Sequence, residues 1–312
     1  MKHALLVAEF YSTLWALIPE RLAAIEAVVL RLAAGIPASP DVMHQVSIDA
    51  EEMAARRDSA ARTTKGGQIA VLPFYGVSTQ RPPPAMASGS GLMSTQAFSG
   101  ALRAALSDDS VGGILIDVDS PGGSVYGVQE LSNEIYQARS QKPIVAIANS
   151  LAASAAYWIG SSASEFYITP GGEAGSIGVY ATHQDASKML ENEGVKTSLI
   201  SAGRYKVEGS PYGPLDDEAR AHMQSRVDDY YAAFTRSVAK NRGVDVDAVR
   251  NGMGEGRVYG AAQAKAAGMV DDVATFDQVL SRMAKSISAG RSAPKSASRA
   301  AAMQREIDIL NA

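Results

Sequence analysis

The middle of the chain alternates short apolar runs with helical patterns, and this alternation restricts the fold more than any other feature. The runs 68–74 (QIAVLPF), 111–118 (VGGILIDV) and 143–148 (PIVAIA) are rich in valine and isoleucine, and helical patterns at 94–107 and 124–139 separate them. Continuous apolar strands that alternate with helices are typical of a parallel sheet buried on both faces. The sequence therefore predicts an α/β domain.

Further elements are predicted toward the carboxyl end of this domain. Two more strands are expected at 165–169 and 196–201. Apolar residues at helical spacing predict a long helix over 215–240. Acidic residues at its start, among them Asp216 and Asp217, favour the helix dipole.

Composition divides the chain into three regions. Residues 1–65 form a helical extension or prosegment, residues 66–285 form the α/β domain, and residues 286–312 have the composition of a flexible tail. The apolar stretch 4–18 is shorter than the roughly 20 residues that a membrane span requires. We interpret it as an amphipathic helix that stops or kinks at Pro19, not as a signal peptide. We therefore expect a cytoplasmic protein without a membrane partner.

The charge and the residue counts exclude several classes of function. The formal net charge is −4, which gives no electrostatic basis for binding nucleic acid. The chain has no cysteine, so disulfides and thiolate chemistry are excluded. Its four histidines include no i, i+4 pair, so nothing local supports a histidine metal site. We expect neither a metal nor a cofactor.

Ser154 lies in a stretch of small residues, 150–160 (SLAASAAYWIG), after the predicted strand 143–148. The turn from a strand into a helix is where α/β proteins expose a nucleophile, and the start of a helix stabilises negative charge as it develops. The flanking alanines would let a substrate backbone approach closely. A serine packed in an alanine-rich helix explains the stretch as well, so both interpretations stay open here.

Two glycine-containing motifs accompany this serine. The motif 119–124 (DSPGGS) follows a predicted strand, and the N–H groups of Gly122 and Gly123 could face an anion or an oxyanion. The motif 175–178 (GSIG) indicates another close approach of the backbone. Taken singly, both motifs are equally typical of ordinary tight turns.

Lys206 is the candidate base. It lies between glycine turns in 203–211 (GRYKVEGSP), where most lysines are simply solvated. In a water-poor site, however, a lysine loses its proton more readily and could accept the proton of a serine hydroxyl. His183 and His222 have no paired acidic motif, so lysine is the better candidate.

Taken together and in order, these motifs resemble the signal peptide peptidase A (protease IV) family of serine peptidases. They resemble still more its shorter relatives, the head-maturation proteases of tailed phages and prophages. The resemblance runs from about residue 68 to residue 280 through QIAVLPFYG, SPGGS, AASAAYWI, GSIGVY, RYKVEGSPYGPLDDEAR and VYGAAQAKAAGMVDD. Each motif alone is weak evidence, but the collinear set is specific.

The resemblance implies a Ser–Lys dyad. Ser154 would attack the scissile carbonyl, and Lys206 would act as general base and then as proton donor to the leaving amine. Gly123, together with Gly122, would supply the oxyanion N–H groups. Ser176 would orient the Lys206 amine.

The resemblance also implies a fold and an assembly. The family fold is the Clp-protease/crotonase type of stacked β-β-α units, which often forms rings of identical subunits with the dyads facing inward. This sequence departs at Ala155 and Ala156, where the membrane-bound members usually carry glycines, and it lacks their anchor. Both departures favour the phage branch.

The leading functional hypothesis is a Ser–Lys endopeptidase that cleaves scaffold and capsid proteins, and itself, during phage head maturation, as a homo-oligomer in the host cytoplasm or inside the procapsid. Three alternatives stay open. They are a host cytoplasmic peptidase that digests small peptides, a crotonase-type enzyme acting on acyl-CoA, and a non-catalytic scaffold component of the capsid.

Overall fold

The computed structural model describes residues 10–33, 35, 69–81 and 92–292. Within these ranges the chain forms two sheets with helices packed against them. The strands are β1 Trp15–Leu17, β2 Ile69–Tyr75, β3 Val77–Thr79, β4 Leu92–Ser94, β5 Gly113–Ser120, β6 Gly122–Ser124, β7 Ile144–Ala153, β8 Glu165–Ile168, β9 Glu173–Gly175, β10 Val258–Gly260 and β11 Asp272–Val273. The helices are α1 Pro19–Ala33, α2 Thr95–Ser107, α3 Val128–Ala138, α4 Ala155–Gly160, α5 Ser187–Asn192, α6 Asp217–Arg242, α7 Val246–Gly252, α8 Ala261–Ala266 and α9 Phe276–Ser292.

The main sheet has the strand order β10-β9-β7-β5-β2, with β8 beside β7 and β11 beside β8. Strands β2, β5 and β7 are parallel, and β8 and β9 both pair with β7 in parallel. Strand β10 runs antiparallel to β9. The α/β class predicted from the sequence is confirmed.

Successive side chains of the central strands enter two different cores. On β5, Ile114 and Ile116 belong to the main core, whereas Leu115 belongs to a second core on the other face. Helix α9 covers the second core with Val279 and Met283. Because both faces of β5 are buried, its first half, residues 113–116, is continuously apolar rather than alternating.

Strand β7 is longer than predicted and changes its partner midway. Residues 145–148 pair with β8, and residues 151–153 pair with β9. The change falls at Asn149 and Ser150, where Ser150 has a φ of 127°. The strand that the sequence predicted to end at residue 148 therefore bends at this point and continues to Ala153.

The second sheet is small and has the order β1-β6-β3-β4. Strand β1 runs antiparallel to β6, and β3 runs parallel to β6 and β4. Strand β1 comes from the region that the sequence set apart as an N-terminal extension. That part of the extension therefore belongs structurally to the α/β unit.

The prediction of a helix over 4–18 that stops at Pro19 holds for residues 10–12, which are helical, and is wrong for residues 13–18. Residues 15–17 are a strand, and Pro19 is the first residue of α1. Proline suits the first helical position because its missing N–H would have no partner there, and it favours an extended residue before it. Residues 1–9 lie outside the described part of the chain.

One predicted strand and one predicted boundary also differ from the structure. The strand predicted at 196–201 is wrong, since these residues form no strand and Ile200 is 99% exposed. Helix α9 continues past residue 285 to Ser292, and its Ile287 packs in the second core. The remainder of the predicted tail, from 293 onward, lies outside the described residues, as do residues 34, 36–68 and 82–91.

The long helix α6 is fixed at both ends. The Asp216 side chain accepts a hydrogen bond from the Ala219 N–H at 2.7 Å, and Gly243 ends the helix in the left-handed conformation. In its last turn, the two terminal guanidinium nitrogens of Arg242 donate to the Asp271 carboxylate, at 2.9 and 3.0 Å. Asp271 also accepts the Phe166 N–H, so this carboxylate joins α6 to β8.

Replacing Asp271 by asparagine should lower the free energy of unfolding by about 1–2 kcal/mol at pH 7, because the charged hydrogen bonds are lost. Burial raises the pKa of Asp271, but the hydrogen bonds from Arg242 and Phe166 outweigh it and lower the pKa overall. Its stabilisation is therefore complete above the unfolded pKa, about 4, and disappears as the pH falls through the lower folded value.

Urea unfolding at pH 7 and at about pH 2.5 measures this effect. The difference in the free energy of unfolding between wild type and Asp271→Asn should be smaller at the lower pH. The control is Asp109→Asn, at an exposed turn position, which should change stability little at either pH. An equal loss for both variants at pH 7 would contradict the role of the Asp271 carboxylate.

Candidate active site

Ser154 stands at the junction of β7 and α4. Strand β7 ends at Ala153 and helix α4 begins at Ala155, so the serine alone forms the turn between them. Its φ of 57° and ψ of −117° are unusual for a residue with a side chain. Such strained backbone persists only where its surroundings hold it, and it is concentrated at functional sites.

The motif 175–178 holds Ser154 from one side through its backbone. The Ser154 N–H donates to the Gly175 carbonyl at 2.7 Å, and the Ser154 hydroxyl donates to the Gly178 carbonyl at 3.4 Å. On the helix side, the Trp158 N–H donates to the Ser154 carbonyl at 3.0 Å. These bonds fix the backbone of the serine, and within the described ranges its hydroxyl makes one hydrogen bond, the long one to Gly178.

Gly122 and Gly123 lie on β6, and Gly122 is beside this serine. A Cβ placed on Gly122 would be 3.0 Å from the Ser154 Cβ and 3.0 Å from the Ala153 carbonyl oxygen. Gly122 has a φ of +99°, and its N–H donates to the Ser120 hydroxyl at 3.2 Å. Gly122 therefore contributes space and a turn, which leaves the N–H of Gly123 as the better oxyanion donor.

Ser176 follows β9 with a φ of 53°, and its N–H donates to the Arg257 carbonyl at 2.7 Å. It is buried, and its neighbour Gly175 bonds directly to Ser154. Among the described residues, no hydrogen bond joins the Ser176 hydroxyl to Lys206. The orienting role of Ser176 stays a prediction.

Lys206 lies in an exposed turn, where its N–H donates to the Gly203 carbonyl at 3.1 Å. Arg204 and Tyr205 beside it both bond to Glu218, each at 3.0 Å, and so fasten the turn to the first part of α6. Within the described chain, no hydrogen bond connects the Lys206 amine to Ser154. The dyad also stays a prediction, and it requires the turn to move or a second copy to contribute its lysine.

Other catalytic arrangements find no support in the described part of the chain. His183 contacts the Ser210 carbonyl at 3.3 Å, and the hydrogen bonds of Ser154 all go to backbone groups. No group of three or more histidine, aspartate or glutamate side chains in the described ranges could hold a metal ion. Among the helices described, none combines the length and apolar character that crossing a bilayer requires.

Sequence reasoning missed one neighbour of the site, strand β1. It pairs with β6 so that Ala16 is opposite Gly123 and Leu17 is opposite Gly122. The Ala16 carbonyl oxygen would be only 2.2 Å from a Cβ on Gly122. The signal was the Ile18-Pro19 pair, since a residue before proline favours an extended conformation.

A serine held at a strained strand-to-helix turn beside paired glycines is typical of a serine hydrolase. Residues 136–290 match the sequence profile of Peptidase family S49. This match, over about half of the chain, agrees with the resemblance found in its motifs.

Individual relatives include phage and bacterial proteins. The chain is 33% identical to capsid assembly protease C of Escherichia phage lambda over 267 residues, covering 83% of this chain and 60% of the phage protein. It is 31% identical to a putative signal peptide peptidase SppA of Enterococcus faecium, over 61% of this chain and 55% of that protein. The chain thus spans little more than half the length of these relatives.

A solved structure of a ClpP1 mutant from Listeria monocytogenes is similar with a TM-score of 0.40 and 14% identity. The similarity covers 66% of this chain and 91% of that one.

Gly123→Ala should destabilise the protein by about 3 kcal/mol, because the added methyl would overlap the neighbouring strand. Its Cβ would lie 1.9 Å from the carbonyl oxygen of the buried Ser78, so β3 and β6 would have to separate. The control is Gly171→Ala, where nothing lies within 4 Å of the added carbon. Urea unfolding measures both, and an unchanged midpoint for Gly123→Ala would refute this packing.

Proposed function

We propose that the chain is a serine endopeptidase that cleaves capsid and scaffold proteins during phage head assembly in the host cell. The observation that carries the proposal is the strained Ser154 beside Gly122 and Gly123, in a chain that matches the sequence profile of a peptidase family. The phage role is supported by the similarity to a capsid assembly protease.

In the proposed mechanism, the Ser154 oxygen attacks the carbonyl carbon of a peptide bond while the neutral Lys206 amine accepts the hydroxyl proton. The Gly123 N–H stabilises the negative charge that develops on the carbonyl oxygen. Lys206 then donates the proton to the leaving amine. Water attacks the acyl-enzyme, again with Lys206 as base, and releases the acid product and free Ser154.

Because Lys206 is exposed and not bonded to Ser154 in the described chain, its amine has to be brought to a Ser154 hydroxyl before the reaction begins. A base must come within hydrogen-bond reach of its nucleophile, about 3 Å, so the turn that carries Lys206 either moves toward the Ser154 of its own chain or meets the Ser154 of another copy. The turn belongs to the segment 187–212, which carries many exposed apolar side chains: Met189, Val195, Leu199, Ile200, Tyr205, Val207 and Tyr212. Four of them, Leu199, Tyr205, Val207 and Tyr212, line one concave surface. Such surfaces mark interaction sites, and we propose that this one packs against another copy of the chain.

Ser154→Ala should abolish cleavage of phage capsid and scaffold proteins, with a loss of at least about 10³-fold, because the nucleophile is absent. Gel electrophoresis and mass spectrometry of the products measure this. The control is Ser164→Ala, the same chemical change at an exposed position nearby. Full activity of Ser154→Ala would end the assignment of the nucleophile.

Lys206→Ala should be as inactive as Ser154→Ala, whereas Lys196→Ala, in the same exposed segment, should keep its activity. Mixing the two inactive variants then tests where the base comes from. Activity that appears on mixing means that Lys206 serves the Ser154 of another copy. No activity on mixing means that the turn closes within one chain. An active Lys206→Ala variant would refute the dyad.

A further inference from the structure

Strand β1 is inserted between two backbone edges next to Ser154. On one edge, Trp15 exchanges both backbone hydrogen bonds with Tyr180, at 2.9 and 3.0 Å. On the other edge, the Val125 N–H donates to the Leu14 carbonyl at 3.1 Å, and the Ile18 N–H donates to the Pro121 carbonyl at 3.2 Å. An extended segment bonded along both edges is how a peptide is bound by strand addition.

The register of this segment places the Ala16 carbonyl opposite the Gly123 N–H, the candidate oxyanion donor. Hydrogen-bonded and non-hydrogen-bonded pairs alternate along an antiparallel ladder. Since Leu14–Val125 and Ile18–Pro121 are hydrogen-bonded pairs, the pair midway between them, Ala16 and Gly123, is hydrogen-bonded too. The Ala16 carbonyl therefore faces the Gly123 N–H.

The same carbonyl lies next to the nucleophile. A Cβ built on Gly122 would be 2.2 Å from the Ala16 oxygen and 3.0 Å from the Ser154 Cβ, so both groups border one small space. The peptide bond that the segment presents to Ser154 is thus the one between Ala16 and Leu17.

The side chains of the segment are buried like those of a bound peptide. Leu14 and Ala16 point into the main core and are 2% and 0% exposed. Trp15 and Leu17 point to the opposite face, where they pack in a third apolar cluster that includes Leu22 of α1. This alternation implies preference for a small residue before the cleaved bond and a large apolar residue two positions earlier.

A polar contact holds the segment in place from the side of α1. The Glu26 carboxylate accepts hydrogen bonds from the Tyr11 hydroxyl and the Gln184 amide, both at 2.7 Å. Gln184 is close in sequence to Tyr180, which borders the groove. The residues before and after β1 are therefore both tied to the protein around Ser154.

We propose that Leu14–Leu17 is a built-in pseudosubstrate. It occupies the groove in which a substrate peptide pairs with β6, presents the Ala16–Leu17 bond to Ser154, and excludes other peptides until it leaves. The proposal rests on the proposed function in taking this groove as the peptide-binding site. Its test uses binding instead of hydrolysis, so that the two can fail separately.

The probe is a fluorescently labelled synthetic peptide with the sequence of residues 13–19 (TLWALIP), and its binding to the full chain carrying Ser154→Ala is measured by fluorescence anisotropy. Adding Ala16→Glu introduces a charge at a fully buried position and should expel the segment. The probe should then bind at least about tenfold more tightly, because a larger fraction of molecules has an open groove.

The matched control is Ala27→Glu, the same change at an exposed position of α1, which should leave probe binding unchanged. Circular dichroism and urea unfolding show whether both variants keep the fold. Equal probe affinity in the folded Ala16→Glu and Ala27→Glu variants would overturn the proposal.

A cross-link provides a second test that keeps the segment in place. The chain has no cysteine, and Trp15 and Ser124 are a non-hydrogen-bonded antiparallel pair, with Cα atoms about 4.5 Å apart, a distance that suits a disulfide. In the Trp15→Cys, Ser124→Cys variant, again with Ser154→Ala, the oxidised chain should bind no probe and the reduced chain should bind it.

Equal probe binding by the oxidised and reduced chains would also overturn the pseudosubstrate. Another outcome combines the expected binding results with undiminished cleavage of capsid and scaffold proteins by Ser154→Ala. In that case the proposed function is wrong, but the conclusion that Leu14–Leu17 occupies a peptide-binding groove is still supported.

Discussion

The geometry of the site depends on the absence of side chains at Gly122 and Gly123. Strand β6 is so close to its neighbours that a methyl on Gly123 would overlap the Ser78 carbonyl, and one on Gly122 would overlap the Ala16 carbonyl. Only glycine at these two positions allows β1 and β3 to lie this close to β6. The strained conformation of Ser154, the position of β1 and the direction of the Gly123 N–H all follow from this packing.

The sequence was sufficient to predict the central sheet and the meeting of its two main motifs. The apolar runs that became β2, β5 and β7 are continuous because these strands are buried on both faces. Parallel neighbours end at the same edge of a sheet, and Ser120 is opposite Ala152 in the register of β5 and β7. Gly122 and Gly123 follow β5 and Ser154 follows β7, so the parallel pairing of these two strands brings the glycines close to the serine.

Other features depend on contacts that the sequence does not encode locally. The Ile18-Pro19 pair favours an extended conformation before the proline, but β1 has three residues and its partners on β6 are far along the chain, so no local pattern identifies its place in the sheet. Pro19 is compatible with the end of one helix or the start of another, and tertiary packing decides between them. Residues 196–201 were predicted as a strand from their composition, but strand propensity depends on having a neighbouring edge, and these residues have none in the described chain. The spacing of Lys206 from Ser154 likewise carries no information about the position of its exposed turn.

Because β1 is part of the same chain as the site, it also affects how cleavage depends on the concentration of substrate. A segment that is covalently part of the protein has an effective concentration at its own groove on the order of millimolar, and dilution does not change it. A free protein at ordinary cellular concentration competes poorly against such an occupant. A substrate packed at high local density, as in a closed shell built from many copies of one protein, competes far better. The tether would thus make cleavage respond to crowding around the enzyme rather than to the total amount of substrate.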